Sequence, residues 1–202
     1  MTNATSDDIP RVVVAEDEAI IRMDLCEMLQ EEGFDVVGEA ADGRQAVDLA
    51  REHRPDLVIL DIKMPGMNGI RAAEMITQER IAPVLILTAF SQRDLAAQAA
   101  QAGAMAYLVK PFQKSDLLPA IEVALERYSE VARLEGEVSE LAERLEARKL
   151  VERAKGILVG EGLGEAEAYR FMQRAAMDRG LKLGEVARFV IDGNLGDLPT
   201  TT

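Results

Sequence analysis

The chain has 202 residues, 48% hydrophobic and 29% charged, and a net charge of −13. That length accommodates one domain of roughly 100–150 residues and a smaller one. A single cysteine and a single histidine exclude a disulfide framework and a conventional zinc site, and no apolar run approaches the roughly 18 residues of a membrane span.

Residues 1–9 are polar and acidic and lack a secretory pattern, so a cytoplasmic protein is expected. From residue 11 to about 124, five short apolar runs alternate with helical patterns. The runs fall at 11–15, 34–39, 56–60, 83–87 and 104–109 and consist mostly of Val, Ile and Leu. Continuous apolar runs of this length predict strands buried on both faces. Between them, Ile21, Leu25, Met28 and Leu29 recur at helical spacing, and 43–53, 69–80, 92–102 and 115 onward read likewise. Strand–helix alternation with right-handed crossovers gives an α/β fold, a five-stranded doubly wound parallel sheet of flavodoxin-like size. Cys26 lies in the first helical pattern and reads as a small core hydrophobe, and His53 as a surface residue at a helix end.

Beyond Leu117 a long helix is predicted. Apolar residues fall at Leu117, Ile121, Ala124, Tyr128, Val131, Leu134, Val138, Leu141 and Leu145, alternating steps of three and four with one stammer at 131–134. Such a seam marks a coiled-coil-like helix, a candidate homodimer stalk; packing on its own chain is the alternative. After it, Val151, Ala154 and Leu158 extend an apolar face until Gly160-Glu-Gly-Leu-Gly164 breaks the helix. A second helix over 165–178 places Ala168, Phe171, Met172, Ala175 and Ala176 in a buried stripe. Gly180 ends it, and a third carries Leu183, Val186, Ala187, Val190 and Ile191. The expected organisation is a domain over 1–124, a linker helix over 125–146, a small three-helix all-α domain over 147–192 and a disordered tail over 193–202. Of these segments only 147–192 is net positive, with nine basic and seven acidic residues.

In an open parallel sheet, ligands bind beyond the carboxyl ends of the strands. Glu16 and Asp17 follow the first strand, Asp61 the third, Thr88 the fourth and Lys110 the fifth. Crowded carboxylates repel one another and call for a hard cation; oxygen-only ligands favour Mg²⁺. Asp61 precedes the Met64-Pro-Gly-Met-Asn-Gly69 turn, which leaves its carboxylate at the mouth, where it can attack phosphorus to form an acyl phosphate. Lys110 and the Thr88 hydroxyl then bond the transferred oxygens.

Four pieces carry a resemblance to the receiver domain of two-component response regulators: Val12-Val-Val-Ala-Glu-Asp-Glu18, Leu57-Val-Ile-Leu-Asp-Ile-Lys-Met-Pro-Gly-Met-Asn-Gly69, Leu87-Thr-Ala89 and Gly103-Ala-Met-Ala-Tyr-Leu-Val-Lys-Pro-Phe112. The resemblance implies that Asp61 is the phosphoacceptor for a cognate sensor histidine kinase. It further implies that Asp17, Asp61 and the Lys63 backbone carbonyl are Mg²⁺ ligands, and that Glu16 acts through water. Thr88 and Tyr107 would be the switch pair, Tyr107 swinging inward as Thr88 turns to the phosphate, and Lys110-Pro111 a cis peptide. Many receivers have Asp-Asp where this chain has Glu16-Asp17.

The C-terminal segment, with Arg153-Ala-Lys-Gly-Ile-Leu158, Glu165-Ala-Glu-Ala-Tyr-Arg-Phe171, Ala175-Ala-Met177 and Leu183-Gly-Glu-Val-Ala187, resembles the ANTAR domain, an RNA-binding module of antitermination regulators. It departs from many members at Glu161, where they have a basic residue, and at Gly164, where they have a Ser N-cap. RNA hairpin loops are bound by cations along the backbone and planar groups on the bases. The candidates are Lys149, Arg153, Lys155, Arg170, Arg174 and Arg188, with Tyr169 as a stacker. The expected function is a phosphorylation-dependent antitermination factor rather than an enzyme. The competing readings are a protein-interaction or dimerisation module, favoured by the acidic total, a DNA-binding output, and an Asp-nucleophile phosphatase. The phosphatase normally carries Asp-x-Asp, and here the second position is Lys63.

Overall fold

The computed structural model of the chain describes residues 9–89 and 93–194. Residues 1–8 and the tail expected beyond Asn194 lie outside the described residues. The chain divides into two compact units, Met1–Ala132 and Arg133–Thr202.

The first unit alternates strand and helix: β1 (Arg11–Ala15), α1 (Ala19–Glu31), β2 (Asp35–Ala40), α2 (Gly43–His53), β3 (Leu57–Asp61), α3 (Gly69–Gln78), β4 (Val84–Ala89), α4 (Arg93–Gln101), β5 (Ala106–Lys110) and the start of α5 (Lys114–Gly160). The five strands pair in parallel in the order β2-β1-β3-β4-β5. Four of them begin one or two residues later than their apolar runs and end on or after a polar or small residue, because the ladder continues through Asp61, Thr88 and Lys110 where the hydrophobic signal stops.

The alternation of side chains along each strand builds two cores. Val12, Val14, Leu57, Ile59, Leu85 and Leu87 point to one face, covered by Leu25, Cys26 and Leu29 of α1 and Leu117, Ile121 and Ala124 of α5. Val13, Ala15, Val58, Leu60, Val84 and Ile86 point to the other, covered by α2, α3 and the end of α4. Each fully buried Val, Leu or Ile contributes roughly 1.5–3 kcal/mol relative to an exposed one, so the strands are held from both sides. Cys26 is buried, as its place in the apolar pattern predicts, and burial pushes its thiol up to about 11. His53 is half-buried at the end of α2, where its carbonyl accepts a hydrogen bond from Arg11.

Helix α5 runs on unbroken to Gly160, so the boundaries expected at 124 and 146 fall inside one helix. Along it Val131, Leu134, Val138, Leu141 and Leu145 are between 43% and 66% exposed. In the second unit the end of α5 packs with α6 (Glu165–Arg179) and α7 (Leu183–Ile191) around Val151, Ala154, Leu158, Ala168, Met172, Ala176, Val186, Ala187 and Val190. Gly180 stops α6 in the left-handed region at φ 64°. Gly184 allows α7 to lie against Ala147, whose Cβ would sit 3.1 Å from an added Cβ.

Phe171 departs from the expected stripe. It is 36% exposed, while its neighbours Ala168, Met172 and Ala176 are buried. The small three-helix core closes over Met172, and Phe171, one residue back, falls at the edge of the apolar arc.

Candidate functional site

Sheet order places the polar residues of the first unit at one end. β1 and β3 are neighbours, yet their outgoing connections leave toward opposite sides, and that switch point opens a crevice at their carboxyl ends. Ala15 is level with Leu60, so Glu16 and Asp61 leave the ladder side by side, and Leu87 opposite Asp61 brings Thr88 to the same rim. The carboxylates of Glu16, Asp17 and Asp61 offer oxygens that all lie within 4.8 Å of one another. Glu16, Asp61 and Thr88 are buried, and Asp17 is exposed at the mouth.

Lys110 answers this negative charge. Its Nζ lies 2.6 Å from Asp61 Oδ1 and also contacts Glu16 Oε2. Burial raises the Glu16 pKa, against the lowering pull of its hydrogen bond to Lys110. For Lys110, burial acts to lower the pKa, but the bonds to Asp61 and Glu16 outweigh it and hold the ammonium above its usual range. The Asp61 carboxylate is gripped on its other oxygen as well, where Oδ2 accepts the Lys63 backbone N–H at 2.7 Å. Among the described residues the buried Thr88 hydroxyl has only a 3.5 Å contact, donated to the Ala89 carbonyl, which leaves it able to bond a ligand in the crevice. Tyr107, on β5, is 56% exposed, with its ring outside. Lys110-Pro111 is cis.

Two supports of this crevice carry no signal in the hydrophobic pattern. Arg22, on α1, donates from Nη1 to the Glu16 carbonyl at 2.6 Å and from Nε to Glu39 at 3.2 Å, tying the β1–α1 turn to the end of β2. Gly69 opens α3 against the backbone of Asp61: a Cβ there would lie 1.9 Å from the Asp61 carbonyl oxygen. In sequence Arg22 reads as one more solvated charge, and Gly69 as one more turn glycine.

The cations of the second unit do not converge on one patch. Lys149 pairs with Glu146 at 2.6 Å; Lys155 is partly buried and pairs with Glu152 at 2.8 Å and Glu165 at 3.7 Å. Arg153 is exposed on the last turns of α5. Arg170 and Arg174 share the outer face of α6 in an open depression of about 480 Å³, and Arg188 lines a different groove, between α5 and α7, with Lys182, Glu143 and Glu146. Tyr169 is 40% exposed on α6. Gly164 supplies no side-chain cap, but its N–H donates to the Glu167 carboxylate at 3.0 Å, which begins α6 from the other half of a capping box.

An acid crevice of this kind at the switch point of a 2-1-3-4-5 sheet, followed by a separate three-helix unit, defines a signalling receiver with an output module. Residues 12–122 match the response regulator receiver domain and residues 139–191 the ANTAR domain. The chain belongs to the response regulators, in the branch that carries a receiver and an ANTAR domain.

Among individual proteins, it is 59% identical over 197 residues to the transcriptional regulatory protein PdtaR of Mycobacterium tuberculosis, covering 95% of this chain and 96% of that one. It is also 42% identical over 116 residues to the chemotaxis protein CheY of Bacillus subtilis, covering 57% of this chain and 97% of CheY. The solved CheX–CheY–BeF3–Mg complex of Borrelia burgdorferi resembles the first unit with a TM-score of 0.54 at 29% identity, covering 57% of this chain and 89% of that one. Among the described residues, no helix is long and apolar enough to cross a membrane.

Proposed function

We propose that the chain is a phosphorylation-dependent antitermination factor: a cognate sensor histidine kinase phosphorylates Asp61 over the receiver segment 1–124, and the output segment 147–192 binds RNA hairpin loops. The observation that carries this reading is the pairing, on one chain, of a lysine-bridged acid crevice with an ANTAR output unit.

Asp61 is suited to the nucleophile's part. Lys110 on Oδ1 and the Lys63 N–H on Oδ2 fix the carboxylate, so one oxygen can meet phosphorus without a search for orientation. The new P–O bond forms as the bond to the donor imidazole breaks, and the imidazole leaves with the electron pair. Lys110 and the Thr88 hydroxyl then bond the phosphoryl oxygens, and the outward Tyr107 has room to move inward when Thr88 turns. The all-oxygen donor set fits Mg²⁺, held by Asp17, Asp61 and the Lys63 carbonyl, with Glu16 through water; when bound it neutralises phosphoryl charge. The Borrelia complex, with Mg and BeF3 in its name, supports this assignment by likeness.

The exposed seam Val131–Leu134–Val138–Leu141–Leu145, within the linker segment 125–146, supports a homodimer through α5, which would present two output units to one RNA. Acetyl phosphate is expected to raise the affinity of the full chain for hairpin-loop RNA, and Asp61→Asn to abolish the rise. Equal binding by both forms would remove the switch. Light scattering with beryllofluoride should report a doubled mass if phosphorylation drives dimerisation, and a salt series separates RNA binding from protein interaction, since phosphate contacts give a salt slope.

A further inference from the structure

The second unit holds its cations in two conditions. Lys149 and Lys155 are committed to carboxylates of their own unit. Among the described residues, Arg170 and Arg174 form no ion pair. Arg170 turns Nε to the Ala166 carbonyl at 3.1 Å, which leaves the rest of its guanidinium unused. The one acid lining their depression, Glu167, accepts the Gly164 N–H on Oε2 and pairs with neither arginine. The same depression is lined by Gln173 and by Met177, which is 83% exposed. Tyr169 and Phe171 stand one residue to either side of Arg170, which at 3.6 residues per turn puts them on opposite flanks of the cationic stripe. They are 40% and 36% exposed.

We propose that this outer face of α6 is the surface on which a single-stranded RNA loop lies, with Phe171 as a second base-stacking ring and Gln173 as a base-edge reader. The proposal rests on the RNA reading above and locates it. Arg170 and Arg174, one turn apart with Cβ atoms about 5–6 Å from each other, can take adjacent phosphates of one strand with forked hydrogen bonds. Rings on both flanks accept splayed bases. The Gln173 amide both donates and accepts, as base edges require, and the thioether of Met177 is a soft apolar contact for a base face. An acidic protein segment would use the two guanidinium groups and leave the rings and the amide without a role. A lone cation pair does not distinguish these partners; the flanking aromatics favour RNA.

The test uses the full chain loaded with beryllofluoride, and a labelled RNA hairpin pool with a randomised loop, by fluorescence anisotropy over a salt series. Arg170→Gln/Arg174→Gln should weaken binding at least tenfold and flatten the log–log salt slope by roughly 1.4, as two lost single-strand phosphate contacts require. Phe171→Leu, which keeps an apolar side chain, should weaken binding roughly tenfold with the slope unchanged. Lys149→Gln/Lys155→Gln should have a smaller effect than the arginine pair. Helical circular dichroism melts confirm that each variant is folded. If the wild type binds and the arginine variant binds equally with the same slope, this face is overturned and the RNA reading stands. If the wild type binds no hairpin at any salt, the RNA reading falls and this proposal with it. Binding of a polyglutamate peptide instead of RNA, lost in the same variant, would assign the face to a protein partner and overturn the proposal.

Discussion

In the acid crevice of the first unit, almost every polar group is held by another. Lys110 bridges Glu16 and Asp61, the Lys63 N–H holds the second Asp61 oxygen, and Arg22 pins the Glu16 carbonyl. On the outer face of α6 in the second unit, Arg170 and Arg174 are exposed and form no ion pair among the described residues, and Arg170 bonds only the Ala166 carbonyl of its own helix. The difference matches the two roles proposed for these surfaces. A crevice that performs phosphoryl chemistry gains from groups already oriented before the reaction. A surface that meets a flexible polyanion gains from cations free to follow it, and counterion release supplies most of the attraction. Substitutions in the crevice should therefore propagate to neighbours, and substitutions on α6 should act locally.

That contrast can be broken by measurement. The largest expected effect is at Lys110: Lys110→Met removes the shared partner of two buried carboxylates and should slow phosphorylation by acetyl phosphate on the order of 100-fold, followed on a phosphate-affinity gel. A rate within a few-fold of wild type would mean that the bridge does not serve the chemistry. Gly69→Ala forces a Cβ against the Asp61 carbonyl, 1.9 Å away without relaxation, and should lower stability by about 1–3 kcal/mol, read as a shift in the urea midpoint of the first transition. No shift would mean that the β3–α3 loop yields freely and is not a rigid wall of the crevice.

Smaller effects sharpen the comparison. Arg22→Met leaves the three acids in place but frees the Glu16 peptide; Mg²⁺ affinity by calorimetric titration should fall roughly tenfold, and Arg22→Lys should recover part of it. Cys26 should resist alkylation in the native chain at pH 8 and react only on unfolding. Its thiol is neutral until pH approaches about 11, so stability linked to it is present below the unfolded thiol pKa and lost as pH rises through 11. The smallest change is Gly164→Ser, which adds a side-chain acceptor where Glu167 already caps from the other side. It should stabilise the second unit by only a few tenths of a kcal/mol, visible as a slight rise in its melting midpoint.

Much of the first unit was legible in the chain itself. Continuous Val, Ile and Leu runs specify strands buried on two faces, and the helical stripes between them specify which residues cover each face. Once a parallel sheet is granted, Glu16, Asp17, Asp61, Thr88 and Lys110 must gather at its carboxyl end. Arg22 and Gly69 were not legible, since a hydrogen bond to a carbonyl and a backbone approach leave no periodic trace. In the second unit the three helices and their core were read from spacing, yet the same spacing assigned Phe171 to the interior.

The sequence by itself determined the α/β alternation, the crevice residues, the long α5 seam and the stop at Gly160, because each rests on local periodicity or on side-chain type at a strand end. Helical spacing alone pairs Lys149 with Glu146 and Lys155 with Glu152, each three residues back on α5. Tertiary structure added Glu165 of α6 to Lys155 at 3.7 Å and turned Glu167, three residues before Arg170, toward the Gly164 N–H. It also decided where the small core closes, and so left the Phe171 ring outside it, 36% exposed.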